Sequence, residues 1–357
     1  MKKTRFILLL LVLIGLVFVT GCSEQQLPGD DTDDPDVVDC EKNPEHESCK
    51  DPGDDKDPDQ NPDGDYPYSL GFTIYELQDS NGNLLNGYAV GDYKGTDTEV
   101  LVPAVWKDKP VIKIIDKTFE NNDKITKVVI PSSVKLLGNN VFAKCKSLTE
   151  VEFAGVSELQ VIPTNAFYEC TSLKSFTVPA SVIKIEKTAF YGCSSIRELA
   201  IPASVKAIGE GAFAAMTSLS KITLPFVGGG ATDSTTADLF GFVFNTVYTE
   251  YTTPIDQKVS DKNTITYYIP TALKTVEILD GPIGLAYGAF SGLTNVEKLI
   301  LPKSIERFGD NCFYGVKGLT DIYFRGEDYE WAKIAGKYTE GNVDTLDAVE
   351  VTFNYAE

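Results

Sequence analysis

Phenylalanine recurs at a nearly fixed interval through the second half of the chain, and successive members lie 23, 25, 23, 23, 77 and 23 residues apart. The series is Phe119, Phe142, Phe167, Phe190, Phe213, Phe290 and Phe313. A fixed period of roughly 20 to 50 residues is the signature of a repeat architecture such as a solenoid. In that architecture each repeat buries its apolar face against the next one, because a single copy has nothing to pack on.

Other apolar residues keep constant distances from each phenylalanine. Leucine or isoleucine precedes it by five positions in six of the seven copies. Beginning six positions after it, apolar and polar side chains alternate, as in Ile222, Thr223 and Leu224. Alternation with period two predicts a half-buried strand. A proline, whose nitrogen carries no hydrogen, ends the strand in most copies. These prolines are Pro131, Pro179, Pro202, Pro225 and Pro302.

Together these positions predict an α/β repeat fold for residues 111–325. We expect a solenoid of about eight coils of 23 residues, each of which adds one strand to a parallel sheet on one face. The apolar residues of all coils then form one continuous core.

Two coils depart from the regular length. Two extra residues between the second and third phenylalanines predict a surface turn at residues 154–156. Between Leu219 and Leu273 lie 54 residues, which equals one coil of 23 plus 31 more. This count predicts a degenerate coil with an insertion at about 226–268. Phe240 is the expected substitute for the missing phenylalanine.

The solenoid needs a cap at each end, since an open coil exposes apolar edges and unpaired strand groups. Residues 66–110 are the predicted N-terminal β cap, in which two apolar segments flank the turn-forming residues 79–83 as a β-hairpin. Residues 326–357 are the predicted C-terminal cap. Six apolar residues there are expected to cover the last coil: Trp331, Ile334, Leu346, Val349, Val351 and Phe353.

Residues 1–21 have the layout of a lipoprotein signal peptide. Three cations among the first five residues precede an apolar run at 6–19. That run is shorter than the ~20 residues that span a bilayer. The sequence Val-Thr-Gly-Cys that ends at Cys22 resembles a bacterial lipobox. This resemblance implies cleavage before Cys22 and lipidation of its sulfur, which tethers the chain to the membrane. An uncleaved membrane anchor is the alternative.

Residues 22–65 form a predicted disordered spacer. Residues 23–65 hold 17 acidic side chains, 3 basic side chains and six prolines. Such a segment has too few apolar side chains to offset the conformational entropy lost on folding. Export permits a disulfide between Cys40 and Cys49 there. Of the net charge of −20 for the whole chain, −9 belongs to residues 66–357. The sequence therefore predicts no nucleic-acid partner, because the folded part has no basic stripe.

Histidine and cysteine limit the possible chemistry. The only histidine, His46, lies in the spacer, so the folded region has no Ser-His-Asp or Cys-His arrangement and no His-ligated zinc. We therefore predict no catalytic residue, metal site or cofactor, and catalysis by a pair of carboxylates is the alternative. Cys145, Cys170 and Cys193 occupy a position that Met or Leu fills in other copies, which predicts buried core residues. A metal or disulfide ladder is the alternative.

One segment partly matches a calcium-binding loop. Residues 59–64 have the spacing Asp-x-Asn-x-Asp-Gly. Leu70 stands at the twelfth position in place of a bidentate glutamate, and prolines replace the flanking helices. We interpret the segment as solvated spacer, with weak calcium association as the alternative.

The strand residues that point away from the core are the first candidate binding surface. Their charges alternate in sign and one aromatic residue is present, so the pattern fits a solvated face as well as a protein-binding face. The candidate residues are Lys127, Glu150, Glu152, Ser175, Thr177, Glu198, Lys221, Thr223, Thr275, Glu277, Lys298, Asp321 and Tyr323.

The insertion is the second candidate surface, because long loops on a rigid scaffold commonly carry function. Its aromatic residues either pack the insertion onto the solenoid or contact a ligand. The candidate contact residues are Tyr248, Tyr251, Tyr267 and Tyr268.

The repeat carries the signature Ile-Pro-x-Ser-Val, at residues 201–205, followed by Ala-Phe at 212–213. This pattern resembles the BspA-like class of leucine-rich repeats over residues 100–325. It differs from commoner leucine-rich repeats, in which an asparagine ladder follows the strand where proline stands here. The resemblance implies a right-handed leucine-rich-repeat solenoid, exported to the bacterial surface. Some members are linked to adhesion, and no binding residues are shared widely enough to carry over.

The sequence therefore predicts a non-enzymatic lipoprotein of the bacterial cell surface, held in the membrane by the lipid on Cys22. Its solenoid is expected to bind a protein or peptide partner. A glycan-binding or cell-envelope structural protein is the alternative.

Overall fold

The computed structural model describes residues 68–79, 82–230, 238–335 and 341–356. Cys22, the predicted signal peptide and the predicted spacer lie outside these residues, so those predictions stay predictions.

The described ranges contain 21 strands and two α-helices. In chain order the strands are β1 (Thr73–Gln78), β2 (Leu84–Gly91), β3 (Glu99–Leu101), β4 (Val105–Trp106), β5 (Lys109–Ile114), β6 (Lys127–Pro131), β7 (Leu136–Leu137), β8 (Glu150–Ala154), β9 (Val161–Ile162), β10 (Lys184–Ile185), β11 (Glu198–Ala200), β12 (Ala207–Ile208), β13 (Lys221–Leu224), β14 (Thr252–Lys258), β15 (Thr264–Pro270), β16 (Thr275–Ile278), β17 (Gly284–Leu285), β18 (Lys298–Leu301), β19 (Arg307–Phe308), β20 (Asp321–Phe324) and β21 (Glu350–Thr352). The helices are α1 (Asp328–Ala335), α2 (Val343–Leu346) and a 3-10 helix at Phe240–Val243.

Each regular coil places one strand in a parallel sheet, which we call the front sheet. Its strand orders are β3-β6-β8 and β11-β13-β16-β18-β20-β21. In the regular coils, paired residues are 23 positions apart, so Glu198 of β11 lies opposite Lys221 of β13. The apolar neighbours Leu199 and Ile222 are buried. The parallel solenoid predicted from the alternation is confirmed.

The number of coils is larger than predicted. Residues 174–178 lie between β8 and β11 without strand structure, yet Phe176 and Val178 are buried while Ser175 and Thr177 are exposed. With this segment the stack has about ten turns in place of eight. Two levels lie outside the predicted range of 111–325: β3, whose residues have the strand-and-proline pattern of the repeat and which pairs with β6, and β21, which pairs with β20 from within the predicted C-terminal cap.

A second set of short parallel strands, the side strands, lies five residues before the phenylalanine positions. Ile185 of β10 lies opposite Ile162 of β9 and Ile208 of β12, and all three are fully buried. Among the described strands the set is interrupted twice, since β5 pairs with β7, β9, β10 and β12 form a second group, and β17 and β19 form a third. The first interruption falls at the 25-residue coil and the second at the degenerate coil.

The repeated phenylalanines are buried against one another. From Phe119 to Phe190 neighbouring rings are nearly parallel, with centroids 5.1 to 5.3 Å apart. The backbone amide of each of these phenylalanines donates a hydrogen bond to the following coil. For example, the Phe190 amide donates to the Ala212 carbonyl at 2.8 Å. Ring burial and a hydrogen bond between coils therefore occur at the same contact.

Two phenylalanines occupy the place of one at the degenerate coil. Phe240 and Phe244 lie in and just after the 3-10 helix, with ring centroids 5.2 Å apart. Phe244 contacts Phe213 at 6.4 Å, and Phe240 contacts Phe290 at 5.6 Å. Both are buried. The prediction for Phe240 is confirmed, and Phe244 is a second member that the spacing did not reveal.

The first coils are covered by a hairpin. Strands β1 and β2 pair antiparallel, and β2 continues in parallel with β5. Tyr75, Leu77 and Ala89 form a small buried cluster of their own, with Ile112 and Ile115 packed against it. The hairpin therefore completes the apolar surface of the first coil from its own side chains.

At the other end Trp331 of α1 is buried. Its ring lies 5.6 Å from that of Phe308 and 5.3 Å from that of Phe324. Helix α1 has eight residues, and within the described ranges no helix combines the length and the hydropathy needed to cross a membrane.

The side chain of Asn342 makes the hydrogen bond to the last repeated phenylalanine that the backbone of a following coil makes elsewhere. Its side chain is completely buried, and its oxygen accepts a hydrogen bond from the Phe313 amide at 2.9 Å. Its Nδ2 donates to the Gly309 carbonyl at 2.9 Å. This side chain thus pairs the Phe313 amide and gives the Gly309 carbonyl, which also accepts from the Cys312 amide at 3.3 Å, a second donor.

Candidate binding surfaces and the degenerate coil

Opposite charges on the outward side of the front sheet pair with one another. The Lys127 ammonium lies 2.7 Å from the Glu152 carboxylate and 3.0 Å from that of Glu150. Hydrogen bonds to Glu152 and Glu150 raise the pKa of Lys127. Exposed pairs of this kind contribute little to stability. Their charges neutralise each other, so this part of the face attracts a charged partner only weakly.

Glu277, which the alternation predicts to face solvent, is buried in the structure. Its carboxylate is buried and accepts hydrogen bonds from Arg325 and from Thr223 Oγ1, the latter at 3.0 Å. Lys221 lies 3.3 Å away. Ile300, one strand further, is also buried. The prediction that Glu277 is free to contact a partner is wrong, because Arg325, which follows β20, extends across β18 to bind its carboxylate.

The other predicted residues of this face are exposed or half-buried, and they lie on the two parts of the front sheet and on the segment between them. Its exposed members are Glu150, Glu152, Ser175, Thr177 and Glu198. Its half-buried members are Lys127, Lys221, Thr223, Thr275, Lys298, Asp321 and Tyr323. The Lys298 ammonium lies 4.3 Å from the centroid of the Tyr323 ring, so this charge makes a cation–π interaction within the face.

The insertion contains the antiparallel hairpin β14-β15, and a buried glutamine fixes it to the solenoid. The side-chain oxygen of Gln257 accepts a hydrogen bond from the Gly241 amide at 2.5 Å. Its Nε2 donates to the Ala289 carbonyl at 2.9 Å. The Lys258 amide donates to Ser291 Oγ at 2.7 Å. Strand β14 is therefore joined to the coil that follows the insertion.

The four tyrosines named in the insertion separate into two groups. Tyr267 is 2% exposed and packs so closely on Gly241 that a Cβ there would lie 2.4 Å from its ring. Its prediction as a contact residue is wrong, since the ring belongs to the core. Tyr248 and Tyr251 are 64% and 67% exposed, and Val247 is also exposed. Tyr268 is half-buried and meets Tyr248 edge to face at 5.6 Å.

A cleft of about 470 Å³ lies where the side strands are interrupted. Its lining includes Val205, Phe226, Val227, Leu285, Asp238 and Asp280. Burial raises the pKa of Asp238. The cleft thus combines apolar walls with two carboxyl groups.

Consecutive glycines bring the chain close to one wall of this cleft. The Ile208 amide donates to the Gly229 carbonyl at 2.9 Å. A Cβ on Gly230 would lie 2.4 Å from the Lys206 carbonyl oxygen, and the φ of Gly230 is +78°, a conformation that favours glycine. The edge of β12 is therefore covered by this turn.

The repeat positions match a family model described as the BspA type leucine rich repeat region. Six copies match, at residues 112–228 and 261–334, which is more than half of the chain. The chain belongs to the BspA-type leucine-rich repeat family. The matched ranges include the phenylalanine stack on both sides of the degenerate coil. The resemblance seen in the repeat signature is therefore confirmed.

Solved structures show what this BspA-type chain is similar to. A leucine-rich repeat protein of T. pallidum is 23% identical, with 78% of this chain and 95% of that chain covered and a TM-score of 0.42. A leucine-rich cell surface protein of Faecalibacterium prausnitzii is 22% identical, with 72% and 76% covered and a TM-score of 0.41. A leucine-rich repeat protein of Bacteroides ovatus is 19% identical, with 82% of this chain and 77% of that chain covered and a TM-score of 0.35. No curated protein matches the chain.

The described cysteines of the BspA-type coils are free thiols inside the core. Cys145, Cys170 and Cys193 donate hydrogen bonds to phenylalanine carbonyls of the preceding coil at 2.9 to 3.2 Å. Burial raises the pKa of Cys145 to about 12 and raises those of the other two as well. The core interpretation is confirmed for these three residues, and the disulfide alternative is wrong.

Among the described residues, no group of three or more His, Cys, Asp or Glu side chains is placed to hold a metal ion. The residues that sequence reasoning missed are of another kind. Gln257 and Asn342 pair buried backbone groups through their side chains. Each of these arrangements occurs once, so the repeat pattern contains no signal for it. The run of glycines at 228–230 was visible in the sequence, and its close approach to β12 explains it.

Proposed function

We propose that this BspA-type protein is a non-catalytic lipoprotein of the bacterial cell surface whose solenoid binds a protein partner through the insertion. The observation that supports this proposal best is that three large apolar or aromatic side chains close together in the sequence, Val247, Tyr248 and Tyr251, are all exposed. Exposed aromatic residues that are held rigidly are typical energetic centres of protein interfaces, because their rings bury large areas at little cost in entropy. We call these three residues the tyrosine patch.

The contacts of the insertion support this assignment. Gln257 anchors the hairpin, and Tyr267 packs beneath it. The patch therefore stands on a fixed base, which lowers the entropy lost when a partner binds. The front sheet supports binding less well, because Lys127 and Glu277 are already engaged with neighbouring side chains.

The proposed surface location rests on the N-terminal sequence. The lipobox-like segment ending at Cys22 provides the lipid anchor, and the acidic spacer that follows holds the solenoid away from the membrane. Replacing Cys22→Ala is expected to move the protein from the membrane fraction to the soluble exported fraction. A protein that stays in the membrane fraction after this change would favour the uncleaved anchor.

Partner binding is tested with the exported part of the chain. The wild-type protein, a Tyr248→Ala/Tyr251→Ala variant and a Tyr329→Ala control are each used to capture proteins from a defined set of surface and matrix proteins. Tyr329 is also exposed, at 56%, and lies on α1. We expect a partner that the wild type and the control retain and the double variant loses. Equal retention by all three, or no partner together with unchanged adhesion of a deletion strain, contradicts the proposal.

Glycan binding is the second candidate, and the same solvent-facing rings favour it, because sugars stack on tyrosine faces. A glycan array probed with the wild type and the Tyr248→Ala/Tyr251→Ala variant separates the two. Array signals that vanish in the variant, without any captured protein, favour a glycan ligand.

A further inference from the structure

The side strands are joined by amides at two fixed positions of each regular coil. Lys206 donates its amide to the Ile183 carbonyl at 2.8 Å, and Gly209 donates to Ile185 at 2.8 Å. These two positions flank the two-residue strand β12. Each coil thus depends on the preceding coil to accept two hydrogen bonds.

Strand β17 lacks this preceding neighbour. The corresponding positions are Ile283 and Ala286, and among the hydrogen bonds of the described residues none engages their amides. Strand β17 pairs only with β19, on its other side. Gly284, Leu285 and Ala286 line the cleft, so the unpaired edge borders it. The cleft therefore lies between the glycine turn that covers β12 and the open edge of β17.

The other features of the cleft restrict what can fill this place. Val205 and Phe226 supply apolar surface. Asp238 and Asp280 add two carboxyl groups, while the nearby Lys206 ammonium already donates to the Ala203 carbonyl at 2.9 Å. Lys206 keeps its positive charge in this bond, so the two carboxyl groups and one ammonium give the lining a net formal charge of −1. A matching ligand carries backbone hydrogen-bonding groups, apolar side chains and a cation.

We propose that this cleft is a docking site for an extended basic peptide segment of a partner protein, which adds a strand to the open edge of β17. Strand addition to an exposed sheet edge is a general mode of peptide recognition, in which main-chain hydrogen bonds give affinity and side-chain pockets give specificity. The lining residues of the cleft are different from those of the tyrosine patch. Failure of either proposal therefore leaves the other intact.

The open edge is tested first in the protein alone, by hydrogen exchange. The Ala286 amide is expected to exchange rapidly, while the Gly309 amide, which occupies the same position one coil later and donates to Leu285 at 2.8 Å, is expected to be protected. Equal protection of the two amides would show that the edge is already occupied and would overturn the proposal.

Binding is then tested with an acetylated seven-residue peptide of alternating valine and lysine. We expect a Kd below about 1 mM, accompanied by protection of the Ala286 amide. A peptide with N-methylated backbone amides removes the strand hydrogen bonds, and one with glutamate in place of lysine removes the charge match. Both are expected to bind at least about tenfold more weakly. Absent binding of the first peptide, or equal binding of its N-methylated form, overturns strand addition.

Two pairs of variants locate the site. Ala203→Trp introduces a bulky ring beside the cleft, and Ala180→Trp places the same ring at the equivalent exposed position of the preceding coil. Asp280→Lys reverses a charge that lines the cleft, and Glu306→Lys reverses an exposed charge outside it. The first member of each pair is expected to weaken binding of the valine-lysine peptide at least about tenfold, and the second by less than about twofold. Equal effects within either pair place the peptide elsewhere and contradict the proposal.

Discussion

At the scale of single residues, each phenylalanine of the repeat does two things at once. Its ring fills the core between neighbouring coils, and its own amide bonds to the following coil. Alternatives such as leucine retain the amide and lose the flat surface on which the next ring stacks. The regular spacing of the phenylalanines follows from this double role.

Replacement of one ring measures the contribution of this contact. Phe190→Ala removes a completely buried ring that lies between Phe167 and Phe213. We expect the free energy of unfolding to fall by about 3 to 5 kcal/mol in urea denaturation, because a cavity remains where the ring was. Val156→Ala, at an 86% exposed position, is the control and should change it by less than about 0.5 kcal/mol. Equal stability of the two variants would contradict a stacked core.

The buried thiols are expected to be chemically inert. Burial raises the pKa of Cys145 from an ordinary 9.0 to about 12, so at about pH 8 its thiolate fraction falls roughly 1000-fold. Iodoacetamide should therefore leave Cys145, Cys170, Cys193 and Cys312 unlabelled in the native protein and label all four in guanidinium chloride. Rapid native labelling of Cys145, read by mass spectrometry of its peptide, would contradict this burial.

The same shift has a consequence for stability at high pH. The folded state holds the thiol of Cys145 in its neutral form, whereas the unfolded chain ionises it near 9.0. The favourable contribution is therefore present below that pH and is lost as the pH rises through the folded value. We expect the free energy of unfolding to decline from about pH 9 to about pH 12, and a Cys145→Ala variant to decline less.

At the scale of elements, the insertion replaces part of a coil with an antiparallel hairpin. The solenoid continues across it because Phe244 and Phe240 connect the ring stack, while Gln257 supplies hydrogen bonds on the hairpin side. The side strands are not restored there, which leaves β17 with an open edge. One irregular element thus produces both the tyrosine patch and the cleft.

The anchoring role of Gln257 is directly testable. Gln257→Leu keeps a similar volume but leaves the Gly241 amide and the Ala289 carbonyl without this partner. We expect a loss of about 1 to 3 kcal/mol, since buried unpaired backbone groups lose their hydration without compensation. Hydrogen exchange should quicken in β14 and β15. Lys262→Ala, at an exposed position between these strands, serves as the control, and the same exchange pattern in both variants would argue against an anchor.

At the scale of the whole solenoid, stability depends on contacts between neighbours, so its ends decide where unfolding begins. The first coil is covered by β1 and β2, which bring an apolar cluster of their own. The C-terminal end relies on Trp331 and on the hydrogen bonds of Asn342. The two ends are therefore closed by different means.

Removal of the C-terminal hydrogen bonds should destabilise that end first. Asn342→Ala leaves the Phe313 amide unpaired in a buried position, which costs about 1 to 3 kcal/mol. We expect faster hydrogen exchange at Phe313 and unchanged exchange at Phe142, several coils away. Asp347→Ala, at an exposed position near Asn342, is the control. Uniform acceleration along the chain would show that the coils unfold as one unit.

The repeat itself was predictable because every regular coil places the same residue in the same surroundings. Phe190, Cys170 and Ile201 recur in equivalent forms 23 residues away, and each proved to be buried. A pattern repeated this often averages out the context of any one copy. The repeat pattern was therefore enough to predict the solenoid, its core and the position of its irregular coil.

Only the tertiary structure decided what the irregular coil does. Glu277 is buried by Arg325, which lies 48 residues along the chain, and Gln257 bonds to Ala289 at a separation of 32. Such contacts occur once, so no period records them. The open edge of β17 has the same origin, because whether a strand has a neighbour depends on how the insertion folds. The repeat fixed the local surroundings of each coil, and long-range packing fixed which surfaces stay open.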